Sequence, residues 1–196
     1  MPLEETRQAL TAAQKCELLQ LARHAIAAYI AGLPLPLANL PELNQIHAGV
    51  FVSLHLDEQL RGCIGYLEGS RPLSEVLRET AVSAASRDPR FEPLTAEELV
   101  RVDIEVSVLS PLRKIAAPAE IILGRHGVIV RLGHHHGLLL PQISLHHDWD
   151  VETFLAHVCQ KAGLPDEAWK DPEADIFIFE AEVFSENKFV RPNSDV

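Results

Sequence analysis

The sequence predicts an α+β fold, with mixed or antiparallel sheets and flanking helices. Three observations carry that prediction. Several stretches place apolar residues at helical spacing behind recognisable caps. Others alternate apolar and polar residues at a period of two. The two kinds follow one another without the steady strand–helix alternation of a parallel sheet. With 196 residues and 47% hydrophobic content, the chain is long enough to bury a sizeable core as one domain.

The elements run in order. Thr11 and Gln14 form a capping-box pair, and Leu18, Leu21, Ala22, Ala25, Ile26 and Tyr29 line one face of a first helix that Gly32 and Pro34 stop. Residues 33–47 are proline-rich and predicted irregular. Val50, Val52, Leu54 and Leu56 then alternate with Phe51, Ser53 and His55. Leu60, Gly62 and Ile64 alternate with Arg61, Cys63 and Gly65, so the two runs read as a hairpin. Matching the apolar faces pairs Leu56 with Leu60, Leu54 with Gly62 and Val52 with Ile64, around a loop from Asp57 to Gln59. A second helix runs from about Pro72 to Ser86, RDPRFEPL makes a rigid two-proline connection, and TAEEL opens a short helix on a capping box from Thr95 to Glu98.

VDIEVSVLS is an alternating strand. Beyond the break at SPLRK, the stretches EIILG, GVIVRL and GLLLPQISL read as three strands joined by the turns GRHG and GHHHG. Asp150 caps a third helix, about Val151 to Ala162, and DIFIFEAEVF closes the chain as a long strand.

Composition narrows the function classes. A formal net charge of -11 with no large Lys/Arg cluster argues against a general nucleic-acid binder, which needs a basic face for phosphate. The start MPLEETRQAL lacks the basic-then-apolar order of a signal peptide, and the run AIAAYIAGLPLPLA is broken by Gly32, Pro34 and Pro36, so no membrane span is expected. Cys16, Cys63 and Cys159 fit neither a disulfide framework nor a zinc site, and a reducing cytoplasm is the expected location. No phosphate loop or dinucleotide fingerprint is present, and no cofactor is expected.

LRGCIG, residues 60–65, sets a cysteine between two glycines in a strand that glycine weakens. Cys63 shares a strand face with Arg61, about 7 Å away by strand rise. A guanidinium so placed favours the thiolate, the reactive form. Ser53 is expected across from Cys63 and His55 across from Arg61, near enough for a diagonal Cys63–His55 contact that would supply a base. Gly62 and Gly65 would let a substrate approach the backbone. The plainer reading makes Cys63 a small core residue and Arg61 a surface charge. In RDPRF, Arg87 and Arg90 beside Phe91 suit a carboxylate or phosphate, whereas Asp88-Pro89 alone suits a rigid turn that ties down a helix end. The pairs Asp103/Glu105 and Glu180/Glu182 read as solvated strand faces. The histidines at 126, 134–136 and 146–147 lack a fixed ligand spacing, and no metal site is expected from them.

The stretches GVFVSL, LRGCIGYLE, SRDPRFEPLTAEEL, DIEVSVLSP, GRHGVIV, GLLLPQ, KAGLPDEAW and FEAEVF, taken together and in this order, resemble the AMMECR domain family. The resemblance covers nearly the whole chain, from about the first helix to Phe184, and implies one domain over about residues 8–190. It implies a larger lobe, about 8–110 plus 150–186, a smaller lobe, about 112–148, and a cleft between them lined by the motifs. The motif positions are Arg61, Gly62, Cys63, Gly65, Asp88, Pro89, Arg90, Phe91, Glu105, His126 and Gly127. His55 lies off the motif, as do the histidine-rich turns. The resemblance also implies the company of AmmeMemoRadiSam systems, a Memo-like protein and a radical-SAM enzyme, but no particular reaction. Two functions fit these residues: an enzyme or enzyme component using Cys63, and a non-catalytic binding or adaptor module whose groove holds a peptide or small anionic ligand.

Overall fold

The computed structural model describes residues 9–37, 40–67 and 69–189. Glu68, the side chain of His146 and the domain ends expected at residues 8 and 190 lie outside the described residues. The elements are α1 (Ala12–Ile30), β1 (Val50–Leu56), β2 (Gln59–Tyr66), α2 (Leu73–Ser86), α3 (Ala96–Arg101), β3 (Asp103–Leu109), β4 (Arg113–Ile115), β5 (His126–Leu132), β6 (His135–Leu139), α4 (Pro141–His147), α5 (Val151–Lys161), β7 (Asp175–Ser185) and α6 (Glu186–Phe189). The class is the predicted one: helices flanking antiparallel strands. The chain divides into two units, one running to Leu109 and resuming at Glu182, the other Ser110–Ala181. Residues 150–181, expected in the larger lobe, group with the second unit.

In the first unit, β1 lies between β2 and β3. Val50, Val52 and Leu54 of β1 sit beside Val108, Val106 and Ile104 of β3, and this apolar face packs under α1 and α2. The capping box of Thr11 with Gln14 starts α1, and Gly32 leaves it at φ 66°. A second capping box, Thr95 with Glu98, starts α3. Arg23 of α1 reaches three places in the chain. Its guanidinium grips the buried Glu186 carboxylate and donates to the carbonyls of Leu99 and Val102, both at 2.6 Å. Glu186 in turn accepts the Ile104 N–H at 3.3 Å.

The hairpin departs from its predicted register at one end. The turn holds two residues, Asp57 and Glu58, both at positive φ (50° and 63°), as a primed turn requires. Leu56 therefore faces Gln59, and His55 faces Leu60. A bulge at Arg61 restores the predicted partners beyond it: Leu54 with Gly62, Ser53 with Cys63 and Val52 with Ile64. Without that extra residue the tight turn would put one strand's apolar set on the wrong face.

The second unit has its own core. β5 lies between β6 and β7, β4 pairs with β7, and α5 packs on β5 and β6 through Phe154, Leu155, Val158 and Cys159. Two sequence readings need correction here. EIILG is not a strand, because Ile121 is buried and Ile122 exposed at the start of a turn whose N–H groups bond back to Ile122; the strand is Arg113–Ile115 instead. GLLLPQISL is strand only as far as Leu139. Pro141 takes the first position of α4, where its missing N–H costs nothing.

Both glycines of LRGCIG are packing positions. A Cβ on Gly62 would stand 2.3 Å from the carbonyl oxygen of Ala84, so its absence lets the last turn of α2 rest on β2. A Cβ on Gly65 would stand 2.2 Å from the Phe51 ring. The first obstacle is helix backbone and the second a half-buried side chain able to pivot. Gly62→Ala is thus expected to cost about 3 kcal/mol and Gly65→Ala about 1 kcal/mol, read as separate shifts of the urea unfolding midpoint.

Candidate functional site

The close seating of α2 on Gly62 directs the path of the chain beyond the helix. Arg87 N–H closes the helix on Ser83 O at 2.8 Å, and the chain then turns: Phe91 N–H bonds Asp88 O at 3.1 Å, with Pro89 at the second position. Within that turn the Arg90 N–H bonds Asp88 Oδ1 at 3.1 Å. The other carboxylate oxygen, Oδ2, accepts the Cys63 N–H at 2.8 Å. LRGCIG and RDPRF therefore meet through one carboxylate.

Arg90 completes the joint. Its Nε and Nη2 hold Asp88 from the side at 2.9 and 2.7 Å, and Nη2 lies 3.5 Å from the Cys63 carbonyl oxygen. The guanidinium also stands 5.3 Å from the centre of the Phe91 ring. Asp88 is 3% exposed and Arg90 55%. The Arg90 hydrogen bonds hold the Asp88 carboxyl far below the usual carboxylate range, helped by the backbone N–H groups of Cys63 and Arg90 and opposed by burial.

The polar face of the three strands carries the thiol. Cys63 on β2, Ser53 on β1 and Glu105 on β3 stand in one row across the sheet, each opposite the next. The Ser53 hydroxyl, itself buried, donates to Cys63 Sγ at 3.3 Å, and Cys63 is half-buried. One row along, His55 stands beside Asp103. Because of the bulge, His55 faces Leu60 rather than Arg61, and the hydrogen-bond partner of the sulfur is Ser53.

Arg61 is placed otherwise than the sequence suggests. Its Nε and Nη2 form a two-pronged ion pair with Glu98 at 2.9 and 3.0 Å, while Nη1 donates to Glu92 O at 2.8 Å. That pairing keeps the Glu98 carboxyl below its ordinary range. The cation bonded at Cys63 is Arg90. No signal in the sequence named Glu98 as the partner of Arg61, since capping a helix already accounts for it. The role of Asp88 was half legible, because Asp-Pro announces the turn but not what the free carboxylate oxygen reaches.

His126 belongs to the second unit and is buried. Its Nδ1 accepts the Ile122 N–H at 3.0 Å, and burial, with Arg125 nearby, pushes its pKa down. The ring ties its own turn together. Glu180 pairs with the exposed Arg125 at 2.7 Å, whereas Glu182 is half-buried, pairs with Lys15 at 2.8 Å and accepts the Leu10 N–H at 3.2 Å. His134, His135 and His136 are exposed, and Cys159 is a core residue whose thiol burial pushes up. Among the described residues no group of three or more His, Cys, Asp or Glu side chains is arranged to hold a metal ion. No helix among them is long and apolar enough to cross a membrane.

Fold and motifs define one family. The chain belongs to the AMMECR1 family, whose model matches residues 19–184. It is 44% identical over 183 residues to Protein MJ0810 of Methanocaldococcus jannaschii, covering 89% of this chain and 90% of that one. A protein of Methanothermobacter thermautotrophicus is 44% identical over 179 residues, covering 87% of this chain and 93% of its own length. The crystal structure of the uncharacterized protein PH0010 from Pyrococcus horikoshii superposes with a TM-score of 0.83 at 39% identity, covering 89% of this chain and 92% of that one.

The Asp88 joint has a measurable pH signature. A carboxyl with a depressed folded pKa stabilises fully above its unfolded value of about 3.9, and that contribution is lost as the pH falls below it toward the folded value. Asp88→Asn is expected to lower stability near neutral pH by about 2 kcal/mol and to flatten the acid side of the stability–pH curve between roughly pH 4 and 2. Urea unfolding across that range reads both effects.

Proposed function

We propose that Cys63 is the working group of this protein, a nucleophilic or acceptor thiol in an enzyme or enzyme component. The observation that carries the reading is the hydrogen bond from the Ser53 hydroxyl to Cys63 Sγ at 3.3 Å. The hydroxyl points its hydrogen at the sulfur and fixes where the thiol sits on the polar face. Glu105, directly across from Ser53, sets a carboxylate on the same face of the sheet. Arg90 keeps the part expected of it: its fixed, exposed guanidinium holds an anionic group of the substrate beside the thiol. In keeping with the family resemblance, the setting is cytoplasmic and the partners are a Memo-like protein and a radical-SAM enzyme.

A specific observation supports a second reading, a non-catalytic binding or adaptor module. Both motif guanidiniums are already paired with carboxylates of their own chain, Arg61 with Glu98 and Arg90 with Asp88. Gly62 and Gly65 are covered by Ala84 and Phe51 rather than open to a substrate. On this reading the motifs build a rigid edge and the sulfur is a filler.

Thiol chemistry separates the two. Ser53→Ala is expected to slow iodoacetamide alkylation of Cys63 at neutral pH about fivefold, the worth of one hydrogen bond of roughly 1 kcal/mol. Peptide mass spectrometry follows Cys63 apart from Cys16 and Cys159. An unchanged rate removes the hydroxyl from the chemistry and leaves the binding module.

A further inference from the structure

The strand that carries Cys63 ends the strand order, so among the described residues one side of β2 has no neighbouring strand. Such an edge invites pairing with another chain. Here the invitation is strengthened by Leu60 and Tyr66, 40% and 47% exposed near the two ends of β2. The outward-facing backbone groups near its middle are those of Cys63, because its N–H goes to Asp88 rather than to β1.

A neighbouring strand would offer Cys63 a carbonyl for its N–H and an N–H for its carbonyl. RDPRF offers the same two things from side chains. Asp88 is an acceptor only and sits on the N–H at 2.8 Å; Arg90 is a donor only and lies 3.5 Å from the carbonyl oxygen. The pair is rigid, because three hydrogen bonds join Arg90 to the Asp88 carboxylate and the Asp88-Pro89 turn fixes the spacing between them. Pro89, between them, has no N–H with which to continue a ladder.

We propose that Asp88 and Arg90 imitate one residue of an adjacent strand and thereby close the β2 edge against a second copy of this chain. The second copy is the partner excluded because an antiparallel pair of β2 edges about Cys63 is self-complementary, as a twofold interface must be. In that pair the two Cys63 residues would face each other, with Cα atoms about 5.5 Å apart. The closure does not depend on Cys63 being reactive.

The test removes the plug. Asp88→Ala with Arg90→Ala is expected to shift the solution mass toward twice that of the unaltered protein in a concentration-dependent way, by light scattering on a sizing column. A short bismaleimide is expected to link Cys63 to Cys63 in the variant and not in the unaltered protein. A double variant with unaltered mass and native far-ultraviolet circular dichroism overturns the proposal, as does a dimer whose linked peptides omit Cys63. Should the double variant fail to fold, Arg90→Ala alone decides the matter, since that side chain is mostly exposed. At least tenfold tighter self-association than the unaltered protein is expected, and equal self-association overturns the proposal.

Discussion

A carboxylate shut away from water and bonded to a backbone N–H joins the two most distinctive motifs of this chain: Asp88 of RDPRF on Cys63 of LRGCIG. Burying that charge is tolerable only because Arg90 and two N–H groups satisfy it. The joint in turn needs the last turn of α2 to lie close against β2, and it can because Gly62 offers no side chain to hold it away. The order of dependence runs from a missing methyl group, through helix seating, to a turn, and from the turn to the placement of a cation beside a sulfur. Each link is local, yet the motifs lie 25 residues apart in the chain.

That order explains what could be read from the sequence. Capping boxes at Thr11 and Thr95 and the cap at Asp150 are short-range devices, and all three start helices where expected. The faces of the hairpin were legible because burial enforces a period of two. The bulge was not, since Asp57 and Glu58 carry no glycine to announce a two-residue turn. EIILG misled because an apolar run bounded by turns looks the same whether it forms a strand or drops one buried isoleucine into a core. PQISL misled in the other direction, for a proline after a strand can begin a helix as readily as end a sheet.

The candidate site was legible in its residues more than in its pairings. Cys63 with Ser53 across the hairpin comes from register alone, and the structure keeps that contact. The arginine beside the Cys63 backbone is not the one that spacing along the strand picks out. Arg61 is nearer to Cys63 in sequence, but Glu98, 37 residues on, supplies a carboxylate that claims it. Arg90 is distant in sequence and close in space because a helix and a turn carry it back. Sequence spacing along one strand predicts neighbours on that strand; it does not predict which charge a third element will neutralise.

The grip of Arg23 on Glu186 bears on how the protein is made. The first unit is discontinuous: its first three strands and its two long helices are translated early, while the carboxylate that satisfies the Arg23 guanidinium emerges 163 residues after it. Until then the nascent chain holds a cation on α1 whose protein carboxylate does not yet exist. Native closure of this unit therefore waits until the whole of the second unit has been synthesised, and the short α6, which carries Glu186, is the latch.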